Sequence, residues 1–151
     1  MELKVNVKGL GRLERKLNSL GGSIAGPVEA ALLSGGLVIQ NEAKTRAPYR
    51  SGNMRRSIHT ETILKTPQVV KVGTGTDVEY AKYVELGTGI YAVGGDGRKT
   101  PWRYKAANGV TYWTAGMRPK PFLRPAADEK RAEVAREIRA ALKEAIRRQA
   151  R

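Results

Sequence analysis

The sequence predicts an α+β fold in which a small antiparallel β-sheet packs against two N-terminal helices and a long C-terminal helix. Two patterns carry that prediction: helical apolar spacing at both ends of the chain, and alternating apolar and polar residues between them, in 57–74. At 151 residues the chain suits one domain, expected over 1–151, with a long loop at about 90–116 and the last helix at about 126–149.

Residues 2–8 alternate Leu3, Val5 and Val7 with polar neighbours, which reads as a short strand. Leu10, Leu13, Leu17 and Leu20 follow at near-helical spacing and stop at Gly21-Gly22. A longer helix is expected from Ser23 to Pro27 onward, because proline suits a first turn. Its stripe is Val28, Leu32, Val38 (or Ile39) and Ala43, and it must end before Pro48. Gly35-Gly36 inside it cost about 1 kcal/mol each relative to alanine, which points to close approach of another backbone or a kink.

In 57–74, SIHTETI and QVVKVGTGT form a hairpin with Thr66-Pro67 at its connection. Gly94 to Gly109 is glycine-rich, polar and basic, and reads as a loop anchored by Trp102 and Tyr104. Residues 111–116 read as a return strand pairing with residues near 90–92. From Ala126 the spacing of Val134, Ile138, Ala141 (or Leu142) and Ala145 marks a helix of about 24 residues, about 36 Å at 1.5 Å per residue. That length predicts a far half reaching beyond the core.

Composition narrows the chemistry. Cysteine is absent and His59 is the single histidine, so thiolate chemistry and a histidine-rich zinc site are excluded. A serine triad would have to pass through His59, and the carboxylates Glu61 and Glu85 have nothing to tie them together as a hydrolytic pair. Gly73-Thr-Gly75 and Gly87-Thr-Gly89 resemble pieces of phosphate loops, yet neither completes G-x-G-x-x-G or leads into a Lys-Ser/Thr pair. The expectation is a protein that is not an enzyme and needs no cofactor and no metal. No apolar run approaches the ~18 residues that cross a bilayer, and the first residues lack the apolar core of a signal peptide, so assembly in the cytoplasm without a membrane is expected.

Charge is the strongest compositional signal: 28 Lys and Arg against 14 Asp and Glu, a formal +14. Such a surface suits a polyanion, most simply nucleic acid, although it also serves solubility alone. No basic cluster is read as interleaved with aromatics in the way a single-strand groove requires.

Three stretches remain. AKTRAPYRSGNMRRSI ends a helix in a basic turn, where Ser51 is placed to cap the following turn and Arg50, Arg55 and Arg56 reach toward DNA or a neighbouring subunit. YAKYVELGTG, Tyr80 to Gly89, reads as a structural corner. Tyr80, Tyr83 (or Val84) and Leu86 pack on the core, Gly87 and Gly89 reverse the backbone, and Glu85 accepts backbone amides or pairs with Arg55 or Arg56. MRPKPFLRPA fixes Phe122 and Leu123 between prolines as a core or neighbour-facing peg, flanked by Arg118 and Arg124. Interface candidates are Trp102, Tyr104, Phe122, Leu123 and Arg124.

In this order and spacing the three stretches resemble the gene-product-ten family of lambdoid long-tailed phages, head–tail joining proteins also called neck or tail-completion proteins. The resemblance runs from about Ala43 to the C-terminus, with Leu86 where the family commonly has Phe; the 94–109 segment looks like an insertion. It implies a subunit of a homo-oligomeric ring, six- or twelve-fold, between capsid portal and tail. The implied partners are further copies of itself, a head-completion or stopper protein, a tail-terminator or tail-tube protein, and the genomic DNA in the channel. The implied location is the virion neck. The alternative class is a small basic nucleic-acid-binding protein.

Overall fold

The structure, a computed structural model, describes Arg15 and residues 25–149. The expected strand at 2–8 and the helix marked by Leu10 to Leu20 lie outside the described residues, apart from helical Arg15.

Helix α1 (Ala25–Arg46) takes Pro27 in its first turn and ends with Lys44 and Arg46, cations that suit the negative end of a helix dipole. It stops just ahead of Ala47, which precedes Pro48. The short α2 (Asn53–Ser57) follows Gly52, whose φ of 77° turns the chain. Strands β1 (Ile58–Lys65) and β2 (Val70–Thr76) form an antiparallel hairpin with a register shift between Thr62 and Leu64. Its connection is closed at Thr66, whose amide donates to the Val69 carbonyl at 2.8 Å while the Val69 amide donates to Thr66 Oγ1 at 2.9 Å. Then come α3 (Ala81–Leu86), a 3-10 turn at Gly89–Tyr91, strands β3 (Trp102–Lys105) and β4 (Thr111–Thr114), and α4 (Leu123–Gln149).

Helix α1 lies between α4 and the β1–β2 hairpin and packs against both. The two adjacent glycines serve these two sides. A Cβ at Gly35 would stand 2.9 Å from Ile138 Cγ1 of α4, and one at Gly36 would stand 2.5 Å from Thr60 Cγ2 of β1. The close approach expected at this pair is therefore real, but the neighbours are side chains. Thr74, 5% exposed, donates from Oγ1 to the Gly36 carbonyl at 3.1 Å and shares a hydroxyl contact of 2.9 Å with Thr60. Each buried hydroxyl thus has a partner. Glu29 fixes the other end of the hairpin, accepting from Thr62 Oγ1 at 2.8 Å and Lys65 Nζ at 2.5 Å.

Helices α1 and α4 run antiparallel. Arg46 pairs with Glu42 at 2.7 Å and with Glu129 of α4, and Lys130 reaches Glu42 at 3.8 Å and Glu133 at 2.9 Å. The core continues along α4 from Leu123 through Val134 and Ile138 to Leu142. The expectation of a helix whose far half leaves the core is corrected accordingly, because the 22 residues of α1 lie alongside it. The expected loop at 90–116 also contains structure. Its strand at 111–114 pairs with 102–105, not with residues near 90–92, because 89–91 form a 3-10 turn and Asn108-Gly109 supply a tight reversal.

Candidate functional site

The corner around Glu85 and the proline-rich stretch before α4 are one structure. From Val84 to Ile90 the backbone is bonded along the segment 115–120. Lys120 N–H donates to the Val84 carbonyl at 2.7 Å, Thr88 N–H to Met117 O at 2.9 Å, and Ile90 N–H to Ala115 O at 3.0 Å. Met117 N–H returns a bond to Thr88 Oγ1 at 2.9 Å. The backbones come so close that a Cβ on Gly89 would overlap the Ala115 carbonyl, and one on Gly116 the Thr88 carbonyl; their φ angles, 60° and 127°, also require glycine.

Glu85 closes this clamp. Its side chain is 3% exposed, and Oε2 accepts from the amides of Phe122 at 2.6 Å and Leu123 at 3.0 Å while Oε1 accepts from Arg124 at 2.9 Å. These are the orphan donors at the start of α4, and the next residue, Pro125, has no amide to satisfy. A carboxylate from 37 residues upstream thus acts as the N-cap, placed at the positive end of the helix dipole. Of the two roles expected for Glu85, the structure shows the amide one. Arg55 is elsewhere, donating Nε to the Ala47 carbonyl at 2.8 Å and stacking 5.2 Å from the Tyr49 ring, and Arg56 reaches the Ser51 carbonyl at 3.4 Å.

Several expected positions are corrected. Tyr80 and Tyr83 are 46% and 48% exposed and do not pack the corner onto the core; of the alternatives Tyr83 or Val84 it is Val84 that faces the core, together with Ala81, since a single helical turn presents only one side. Phe122 and Leu123, 0% and 3% exposed, belong to the chain's own core, so neither is available as an interface peg. Arg55 is half-buried and occupied in its turn, which leaves Arg50 and Arg56 as the exposed arginines there. Ser51 caps only weakly, its hydroxyl lying 3.4 Å from the Asn53 amide.

His59 is half-exposed. Its Nδ1–H donates to the Ser57 carbonyl at 2.8 Å, with Asp77 and Glu61 each 3.8 Å from the ring. The Ser57 carbonyl above all raises its pKa from the ordinary histidine value; burial opposes that, and the Asp77 and Glu61 carboxylates add to the rise. Among the described residues no group of three His, Asp or Glu side chains could hold a metal ion, and no helix is long and apolar enough to cross a membrane.

Two further features stand on the surface. Strands β3 and β4 pair with each other and pack substantially on no other element. One face of the pair carries Trp102, Tyr104 and Tyr112, the two tyrosine rings 5.9 Å apart; the other carries Arg103, Lys105 and Trp113. Trp113 is 69% exposed, and Arg103 and Arg98 lie 5.5 Å from the rings of Trp113 and Trp102. Basic and aromatic residues are therefore interleaved here, contrary to the sequence reading. The signal was the alternation WRYK and TYW on either side of Asn108-Gly109, obscured by reading 94–109 as one loop. At the foot of the clamp, Leu86, Val93, Pro119, Pro121 and Pro125 line an open groove of about 450 Å³, with Arg124, Asp128 and Glu129 around it.

An α+β body with a capped, clamped corner is the class that this geometry defines. The chain matches a family described as "Bacteriophage HK97-gp10, putative tail-component" over residues 11–87, about half its length. It belongs to this HK97-gp10-like family, the class of phage tail components. The match ends at Gly87, inside the clamp, after Val84 and Glu85 and before the crossing at Gly89. No curated protein and no solved structure matches the chain.

Proposed function

We propose that the protein is a ring-forming subunit of the phage neck, completing the tail and joining it to the head around the DNA channel. The observation that carries this reading is membership of a phage tail-component family, with the YAKYVELGTG and MRPKPFLRPA stretches joined through Glu85 in one hydrogen-bonded corner. On this reading its partners are its own copies, a head-completion or stopper protein and a tail-terminator or tail-tube protein, and it catalyses nothing. Exposed Arg50 and Arg56 and the +14 charge suit DNA passing through without sequence readout, because phosphate contacts alone suffice.

Native mass measurement of the purified protein, alone and with tail extract, tests it. Discrete oligomers or co-assembly with connector proteins are expected, with weak DNA binding that falls steeply with salt. A stable monomer that binds DNA tightly at physiological salt would establish the alternative, a small basic nucleic-acid-binding protein, for which the net charge is the supporting observation.

A further inference from the structure

We propose that the β3–β4 hairpin of one subunit docks into the proline-lined groove of a second copy, making a head-to-tail contact between subunits. The inference rests on the ring reading and names the surfaces that would build it. An isolated two-stranded hairpin is marginal in water, and this one has both faces exposed. It carries Trp113, Tyr104, Tyr112 and Arg103, the residue types that dominate binding energy at protein interfaces.

The complementary surface is on the same chain. Leu86, Val93 and three proline rings offer apolar walls suited to aromatic side chains, and no residue of β3 or β4 lines the groove. The charges also match. Between residues 90 and 115 stand Arg98, Lys99, Arg103 and Lys105 against Asp96 alone, while the groove carries Asp128 and Glu129. Glu129 is held by Arg46, but Asp128 makes no ion pair among the described residues. Arg124 supplies a guanidinium for the tyrosine face.

Duplex DNA fits the hairpin less well. Phosphates would use its cations but leave Trp113 and the tyrosines exposed, whereas the groove uses both. Because hairpin and groove are different surfaces, the contact is heterologous, the kind that builds a ring when the rotation between neighbours closes and an open filament when it does not.

Sedimentation velocity on the full chain tests the contact. Arg103→Glu and Asp128→Lys are each expected to weaken self-assembly about tenfold, and the double variant, with the charges exchanged, to recover most of it. Trp113→Ala should weaken assembly at least as much, and Lys105→Glu is a second hairpin variant. These side chains are exposed, so thermal melts at concentrations where every protein is monomeric should stay at the wild-type midpoint. Single variants that assemble like wild type overturn the hairpin–groove contact and leave the ring reading standing. A wild type that is monomeric at every concentration overturns both. Unchanged assembly with lost DNA retention in Arg103→Glu would assign the hairpin to nucleic acid and also overturn the proposal.

Discussion

At the scale of single residues, Glu85 does the most. Three buried or half-buried amides depend on one carboxylate, and no water-facing alternative exists for Phe122 and Leu123. Glu85→Gln keeps one acceptor oxygen but turns an NH2 group toward amide donors. Losing a charged hydrogen bond and leaving a buried donor unpaired costs about 2–4 kcal/mol. Urea denaturation should show that loss with an unchanged slope; a change under about 0.5 kcal/mol would remove the cap from the account. The sequence allowed this role, since an acid in an aromatic-flanked turn stood apart from any catalytic pair. It could not identify the partner amides, which lie 37 residues away and are brought near by the glycine crossing at Gly89 and Gly116. The tyrosines misled for a local reason: α3 is one turn long, so Tyr80 and Tyr83 share a side that faces water.

At the scale of elements, helices α1 and α4 and the β1–β2 hairpin were legible because each has its own periodicity; β4 was legible too, but its partner β3, four residues inside a glycine-rich stretch, was hidden, so the pairing was misplaced. What periodicity does not state is which side of α1 meets which neighbour, and Gly36 answers that. Gly36→Ala gains up to about 1 kcal/mol of helix propensity but places a methyl 2.5 Å from Thr60 Cγ2, on a β-branched side chain held between strand and helix. Overpacking of this kind costs about 1–3 kcal/mol, so the net effect should be destabilising. Adding Thr60→Ser removes the clashing methyl and keeps the hydroxyl that meets Thr74, so the double variant should recover part of the loss. Strictly additive effects would contradict the contact. The hairpin also carries opposite pH responses. Glu29, held below the usual carboxylate value by Lys65 and then Thr62, adds stability that is lost as pH falls below about 4.5. His59, raised by the Ser57 carbonyl, adds stability that is full below pH 6.5 and lost as pH rises through its elevated folded value. Thermal midpoints across pH for Glu29→Gln and His59→Gln should each flatten only its own side of the profile.

At the scale of the whole molecule, the segment from Tyr91 to Thr114 behaves as a module set into a finished body. The chain leaves and re-enters through one antiparallel stem, where Thr88 bonds Met117 and Ile90 bonds Ala115, and the core forms without any side chain of the module. Ile90 and Ala115 already stand as a hydrogen-bonded pair, which a two-residue Asn-Gly turn can join directly. Replacing 91–114 by Asn-Gly removes the bonds that the Tyr91, Ala92 and Val93 amides give to the carbonyls of Thr88, Gly89 and Leu86, the Thr114 hydroxyl that meets Gly116, and the Tyr91 ring under Arg118, but no core side chain. The shortened chain should keep its helical circular-dichroism signal and lose about 2–4 kcal/mol at most, since each of these bonds is worth about 0.5–1.5 kcal/mol net and the exposed groups can turn to water. Amide exchange at Phe122, Leu123 and Arg124 should remain slow, because Glu85 still holds them. A shortened chain that unfolds, or that exposes those three amides, would mean that the module supports the clamp instead of merely standing on it. The proposed docking surface would then be part of the fold that presents it.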